Sequence, residues 1–326
     1  MKLAILCFST VLVAAELLVA APAAFAQSFP AKPIRVIVPL APGGSAEVGA
    51  RMVSDKVAQS LGQPVLVESR PGGGGAVGVN YVARSAPDGY TLVVGPAGAM
   101  SINVSLAKLP YDPVKDLAPL SGMTRSTLFI VVSPGGEIRS FKELLAVAKA
   151  RPGTLNYGTP GVATAQHLAG ELLNTMAGVN LVHVPFKGSS EAMTAVIGRQ
   201  IQVAILGPAG IASQVRSGRL QIIASTDTAR AAGLAEAPTV AESGIPGYFA
   251  GGWLSFFAPA ATPGEIVGRL NGEIVRALKL PDVVEKIVAG GEIPDPTTPE
   301  ELGRFVRAEI DKWAKVIKTS GIRLEQ

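Results

Sequence analysis

Apolar and polar positions along the chain fall into a repeating strand-and-helix rhythm. Ile34 to Val38 is a short, almost wholly apolar run between two prolines, the pattern of a strand buried in a parallel sheet. Leu40-Ala41-Pro42-Gly43-Gly44-Ser45 follows as a loop, with Ser45 read as a helix cap and a helix running to Leu61, where Gly62 stops it. Val65–Glu68 reads as a second strand, Pro71 to Gly75 as a glycine loop, Ala76–Ser85 as a helix and Thr91–Val94 as a third strand. This βαβαβ order predicts a parallel sheet with right-handed crossovers. A second α/β set is predicted further on, with helices at 140–150, 164–177, 190–198 and 209–217 and strands at 154–157, 181–184, 201–206 and 220–225.

The C-terminal part is mainly helical. Thr262-Pro263-Gly264-Glu265 and Thr298-Pro299-Glu300-Glu301 each offer Thr as N-cap, Pro at the first helical position and Glu two residues later, which predicts two capping boxes. In the last helix Leu302, Phe305, Val306, Ile310, Trp313, Ala314 and Ile317 form one apolar stripe, read as packing and not as a partner surface. Lys312, Lys315 and Lys318 suit its C-terminal dipole.

Two further apolar segments, Leu128–Val132 and Trp253–Ala258, separate the α/β sets. If each passes between domains, the chain leaves the first domain near 128 and returns near 251. Residues 27–128 with 251–326 then form one α/β domain and 129–250 the other. Two crossover segments leave a ligand cleft between them, at the carboxyl ends of the strands. Residues 1–26 precede this fold as a signal peptide: Lys2 is a short basic region, an apolar stretch follows, and Ala24-Phe25-Ala26 fits cleavage ahead of Gln27. Glu16 interrupts the apolar stretch, which argues against a membrane span of ~20 residues. Leu6 before Cys7 is not the small residue that a lipidation site needs.

Composition narrows the chemistry. The 326 residues are 48% apolar and 17% charged, enough for a sizeable core and unlike a disordered chain. One Cys and two His exclude a disulfide framework, a Cys-rich zinc or iron–sulfur site and any three-histidine centre. The single Cys lies in the leader, so the exported chain would carry none. A net charge of +4 without any run of five Lys or Arg gives no nucleic-acid signature and at most a mild attraction for anions.

Catalytic motifs are weak. Gly73-x-Gly75-x-x-Gly78 has dinucleotide spacing, but no acidic residue follows ~20 positions on, so a tight turn and close helix packing explain it better. Ser105-x-x-Lys108 lacks a Ser-Asp-Asn partner motif, and Pro110 follows too soon for a long helix. No nucleophile elbow or phosphate loop is present, and His167 and His183 read as structural residues of a helix and a strand. Two strand-to-helix loops remain, Leu40 to Glu47 and Gly158 to Thr164. Both are rich in small residues that leave backbone N–H groups accessible, and Ser45, Thr159 and Thr164 add hydroxyls. Such helix openings suit a carboxylate or phosphate, though tight turns alone would look the same.

KPIRVIVPLAPGG, with Glu47 and Ala50-Arg51 after it, resembles the opening of the Bug family, the extracytoplasmic solute receptors of tripartite tricarboxylate transporters. LGQPVLVESRPGGGGAVG, APDGYTL, YDPVKDLAPL, NYGTPGVATAQHLAGELL, VHVPFKG, APTVAESGIPGY and APAATP continue the likeness in order. The resemblance implies a type II periplasmic binding protein fold and a non-enzymatic role without cofactor. The expected role is capture of a small organic carboxylate in the periplasm by a monomeric receptor that delivers it to a two-subunit permease. It carries ligand binding onto Leu40, Ala41, Gly44, Ser45, Ala46 and Glu47 in the first loop and Thr159, Gly161, Val162, Ala163 and Thr164 in the second, with Lys187 and Pro208 on the far side. The family usually has Asp at position 47, an aromatic at 40, Asn at 69 and Gly at 163. The longer Glu47 could reach a ligand amine or hydroxyl, or reduce the room. A ligand-binding accessory to a membrane sensor kinase is the alternative reading, and a secreted hydrolase a more distant one.

Overall fold

The computed structural model describes residues 29–162, 164–186, 188–228, 230 and 237–322. The expected signal peptide lies outside them. In chain order the strands are β1 (Ile34–Val38), β2 (Val65–Ser69), β3 (Thr91–Pro96), β4 (Leu117–Ser126), β5 (Phe129–Val132), β6 (Asn156–Thr159), β7 (Val182–Pro185), β8 (Val203–Leu206), β9 (Gln221–Ser225), β10 (Gly252–Pro259) and β11 (Glu292–Pro294). The helices are α1 (Ser45–Leu61), α2 (Ala76–Ala83), α3 (Asn103–Leu106), α4 (Phe141–Ala150), α5 (Ala165–Ala177), α6 (Ser189–Ile197), α7 (Pro208–Arg216), α8 (Gly264–Leu278), α9 (Pro281–Ala289) and α10 (Pro299–Ser320).

The strands form two sheets, ordered β11-β4-β10-β3-β1-β2 and β7-β6-β8-β5-β9. Both are mixed. In the first, β1 pairs in parallel with β2 and β3, while β10 runs antiparallel to β3 and β4. In the second, β6 pairs in parallel with β7 and β8, while β5 runs antiparallel to β8 and β9. Each sheet thus repeats one plan, with its local second, first and third strands side by side and a foreign strand inserted before the fourth. The inserted strands, β5 and β10, are the two apolar segments singled out in the sequence. This is a two-domain α/β fold of the type II periplasmic binding protein kind.

The chain passes from β4 to β5 through Thr127 and Leu128, and returns from β9 to β10 through residues 226–251. The two passages are bonded side by side. The Leu128 amide donates to Thr226 Oγ1 at 3.0 Å, the Thr226 amide to the Leu128 carbonyl at 2.9 Å, and the Ala250 amide to the Thr226 carbonyl at 3.0 Å. Thr127 Oγ1 donates to Asp227 at 3.1 Å, and Arg125 reaches Asp295 at 3.1 Å.

Each sheet has its own core. Ile37, Val79, Val93, Met100 and Phe257 pack around the first, and Ile130, Phe141, Leu144, Tyr157 and Leu168 around the second. Helix α10 joins them: Leu302 and Val306 belong to the first cluster, Trp313, Val316 and Ile317 to the second. The glycine-rich run beside α2 is packing, as expected. A Cβ at Gly78 would lie 2.7 Å from Pro39 Cβ and 2.9 Å from the Arg70 carbonyl, so the helix can approach the sheet only without one.

Three local expectations change. Gly44, in extended conformation, is the N-cap of α1 and Ser45 its first residue, with no side-chain cap; the amides of Glu47 and Val48 donate to the Gly44 carbonyl, both at 3.1 Å. The box at Thr298 and Glu301 forms, but α8 starts one residue later than expected, after Pro263. Thr262 is buried there, one residue ahead of the cap position, and donates to the Pro259 carbonyl at 2.7 Å. Lys312 does not serve the helix dipole: it pairs with Glu309 and donates to the Phe249 carbonyl at 2.9 Å, and burial lowers its pKa.

Candidate functional site

A cavity of about 410 Å³ opens at the carboxyl ends of the first sheet's parallel strands, within the size range of small-molecule sites. The loop after β1 contributes Leu40, Gly44, Ser45 and Ala46. The end of β3 contributes Pro96, and the turn after it Ala97 and Gly98 and then Ile102 and Asn103, where a π-turn (Gly98–Ile102) leads into α3. The end of β4 brings Thr124 and Ser126, the start of β10 brings Gly252, Trp253 and Leu254, and β11 brings Glu292. Ala165, the first residue of α5, is the described lining residue that comes from the second sheet's helices.

Helices α1 and α5 both start at this cavity. The first amides of a helix have no acceptor inside it, so Ser45 and Ala46 of α1 and Ala165 and Gln166 of α5 present N–H groups at positive dipole ends. Around them stand the hydroxyls of Ser45, Thr124 and Ser126 and the amide of Asn103. The chemistry is that of an anion site built from backbone and neutral donors.

Glu47 plays a different part from a lining residue. Its carboxylate accepts from the Gly43 amide at 2.7 Å and pairs with Arg51 at 2.6 Å. Those two contacts, the amide first, hold its pKa below the usual carboxylate range. Glu47 therefore holds the shape of the loop whose next residues face the cavity. Ala41 is exposed beside it and does not line the cavity.

The second loop is braced from within. Thr159 is fully buried, and its Oγ1 donates to the Gly161 carbonyl at 3.1 Å. Thr164 caps α5: its Oγ1 accepts from the His167 amide at 3.2 Å and donates to the Gly161 carbonyl at 2.9 Å. Behind the loop, the rings of His167 and His183 stack at 3.7 Å with 11° between their planes, and His183 Nε2 lies 2.7 Å from Thr159 Oγ1. Burial, and for His183 also its partner ring, pushes both imidazoles down to about 4. Two neutral rings at neutral pH can stack where two cations could not. The hydroxyl beside His183, that of Thr159, is buried and bonded to the Gly161 carbonyl.

Of the residues expected at the site, Leu40, Gly44, Ser45 and Ala46 line the cavity. Thr159, Gly161 and Thr164 form the frame from which Ala165 reaches it, and Val162 is exposed on that loop. Pro208, the first residue of α7, packs instead against Gly291, where a Cβ would lie 3.1 Å from Pro208 Cγ. Ala163 and Lys187 lie outside the described residues. The contributions of β4, β10 and β11 were missed. The Gly95-Pro96-Ala97-Gly98 loop had a readable signal, because it is a third small-residue turn after a strand. Thr124, Ser126, Gly252 and Glu292 had none, since sheet pairing between distant segments assembles them.

A smaller recess of about 140 Å³ lies beside Val132, Ile138 and Arg199, remote from both helix openings in the sequence and lined by none of their residues. Its Arg199 already donates to the Pro134 carbonyl at 2.9 Å. Among the described residues no group of three or more His, Cys, Asp or Glu side chains could hold a metal ion, and no helix is long and apolar enough to cross a membrane.

Comparison with known proteins adds to this picture. Residues 49–322 match the family described as the tripartite tricarboxylate transporter family receptor. Protein BugT of Bordetella pertussis is 35% identical over 309 residues, covering 94% of each chain. The structure of Rpa4515 from R. palustris with adipate is 31% identical, with a TM-score of 0.69 over 90% of this chain and 99% of that one. MatC from Rhodopseudomonas palustris with bound malate is 30% identical, with a TM-score of 0.66 over 89% of this chain and 100% of that one.

Proposed function

This chain belongs to the tripartite tricarboxylate transporter receptor family, and from that premise we propose that its cleft captures a small organic carboxylate for delivery to a two-subunit membrane permease. The observation that carries the reading is the single cavity onto which α1 and α5 both open, with their first amides unused. Adipate and malate in the related structures support the ligand class.

In this reading the Leu40–Glu47 loop and the Thr159–Thr164 loop hold the ligand carboxylate from two sides. Ser45, Ala46 and Ala165 are its nearest donors, and Lys187 is assigned to the far side. The domains are residues 27–128 with 251–326, and 129–250. They close over the ligand by rotation at the paired passages near 128 and 251. The chain is exported, its leader is cut between Ala26 and Gln27, and it works in the periplasm as a monomer that binds without converting its ligand.

Calorimetry on protein stripped of ligand by unfolding and refolding tests this directly. With C3 to C6 mono-, di- and tricarboxylates as probes, at least one should give saturable heat and raise the melting temperature. Silence across the whole panel would overturn the carboxylate reading.

A further inference from the structure

Glu292 is the one ionisable side chain among the described residues that line the cleft. It is half-buried, and no side-chain hydrogen bond or ion pair joins it to another described residue. The acids around the cleft are otherwise engaged. Glu47 is held by Gly43 and Arg51, while Asp295 and Asp227 share Arg125.

The sheet register explains why Arg125 leaves Glu292 alone. Glu292 stands opposite Ser126 on β4, and Ser126 stands opposite Gly252 on β10, so the three form one row across the sheet. Side chains alternate faces along a strand, which puts Thr124 and Ser126 on the cleft side with Glu292 and turns Arg125 to the other face. The preceding residue, Gly291, packs on Pro208 at the start of α7, so Glu292 lies where material from the second sheet's helices closes on the first.

A lone carboxylate in a cleft built for anions is a liability for a plain carboxylate ligand, because like charges in a poorly solvated space repel. It becomes an asset when the ligand brings a donor of its own. We propose that Glu292 sets specificity: the preferred ligand carries a hydrogen-bond donor beside its carboxylate, and an ammonium satisfies Glu292 better than a hydroxyl does. The substrate class is then amino carboxylates ahead of hydroxy carboxylates, and both ahead of unsubstituted ones. This inference rests on the carboxylate reading of the cleft.

The test is calorimetry at pH 7.5 and fixed ionic strength with matched probes: succinate, malate and aspartate, then glutarate, 2-hydroxyglutarate and glutamate, then adipate and 2-aminoadipate. In at least one chain-length series the native protein should bind the amino member ~10-fold or more tightly than the unsubstituted one, the scale of one charge-assisted hydrogen bond. Glu292→Gln should erase that preference by weakening the amino member and strengthening the unsubstituted one. Glu292→Asp, which keeps the charge, should preserve its sign. A native preference for the unsubstituted member, or a preference unchanged in Glu292→Gln, would overturn the assignment while leaving the carboxylate reading intact. Parallel losses for every probe in Glu292→Gln and Glu292→Asp would mark Glu292 as structural and also overturn it. Silence of the native protein toward every probe would remove the carboxylate reading, and this inference with it.

Discussion

Thr164 and Ser45 are both hydroxyl residues at the opening of a helix, yet the structure gives them different work. Thr164 spends its hydroxyl on the His167 amide and the Gly161 carbonyl, so Thr164→Val should cost about 1 kcal/mol of stability through the lost cap, read by urea denaturation. Ser45 caps nothing and faces the cavity, so Ser45→Ala should leave the denaturation midpoint unchanged while weakening the carboxylate ligand by about 0.5–1.5 kcal/mol in calorimetry. The histidine pair adds a pH dependence. Both imidazoles sit at about 4 in the folded protein, below their ordinary 6.5, so the unfolded chain binds more protons between those values. Their contribution to stability is complete above about pH 6.5, falls as the pH drops toward 4 and levels off below it. Melting temperature should therefore fall between pH 7 and pH 4.5 more steeply in the native protein than in His183→Gln. Equal slopes would mean that the rings are protonated while stacked. Among the described residues, Tyr157, Glu171 and Thr159 are polar groups placed against the pair.

At the scale of elements, α10 does the most to unite the molecule. Its apolar stripe was legible as packing, but the sequence could not tell that the stripe divides between two cores. The polar side is equally committed. Buried Glu309 accepts from the indoles of Trp253 at 3.3 Å and Trp313 at 3.0 Å, and pairs with Lys312. Trp313 is 1% exposed at the end of the helix that reaches the second core. Trp313→Ala should cost about 3–5 kcal/mol, the range for a large buried aromatic, measured by guanidinium denaturation. Gly252 opens β10 opposite Ser126. A Cβ there would lie 2.4 Å from Ser126 Oγ, so the first residue of β10 has to be bare for the Ser126 hydroxyl to sit at the cleft floor.

For the whole molecule, two sheets of one plan, each with a foreign strand inserted, are tied together where Leu128, Thr226 and Ala250 hydrogen-bond between the two passages. That arrangement lets the proposed closure concentrate its change in a few residues near 128 and 251 while both cores stay packed. Small-angle scattering should show a smaller radius of gyration when the carboxylate identified by calorimetry is added in excess. An unchanged radius at saturation would mean that the cleft binds without closing. The mixed strand directions follow from the same topology, because the returning chain must enter the first sheet against the run of β3.

Much of this was written in the chain itself. The apolar runs, proline breaks and small-residue loops determine the elements to within a few residues, the two α/β sets and the two segments that pass between them, because local sterics and periodic burial act over short stretches. The loop residues Leu40, Gly44, Ser45 and Ala46 were legible as a helix opening for the same reason. Only the tertiary structure decides which loops meet, and it does so by pairing strands far apart in sequence. Glu292 reaches the cleft because β11 adds to β4 beyond 160 intervening residues, and Ser126 because β10 returns beside it. Hydrogen-bond competition decides the rest, turning Glu47 toward Arg51 and Thr164 toward the α5 amides. Those partners lie only three or four residues away, so the sequence offers each pairing, and the structure decides which of the competing local bonds the loop keeps.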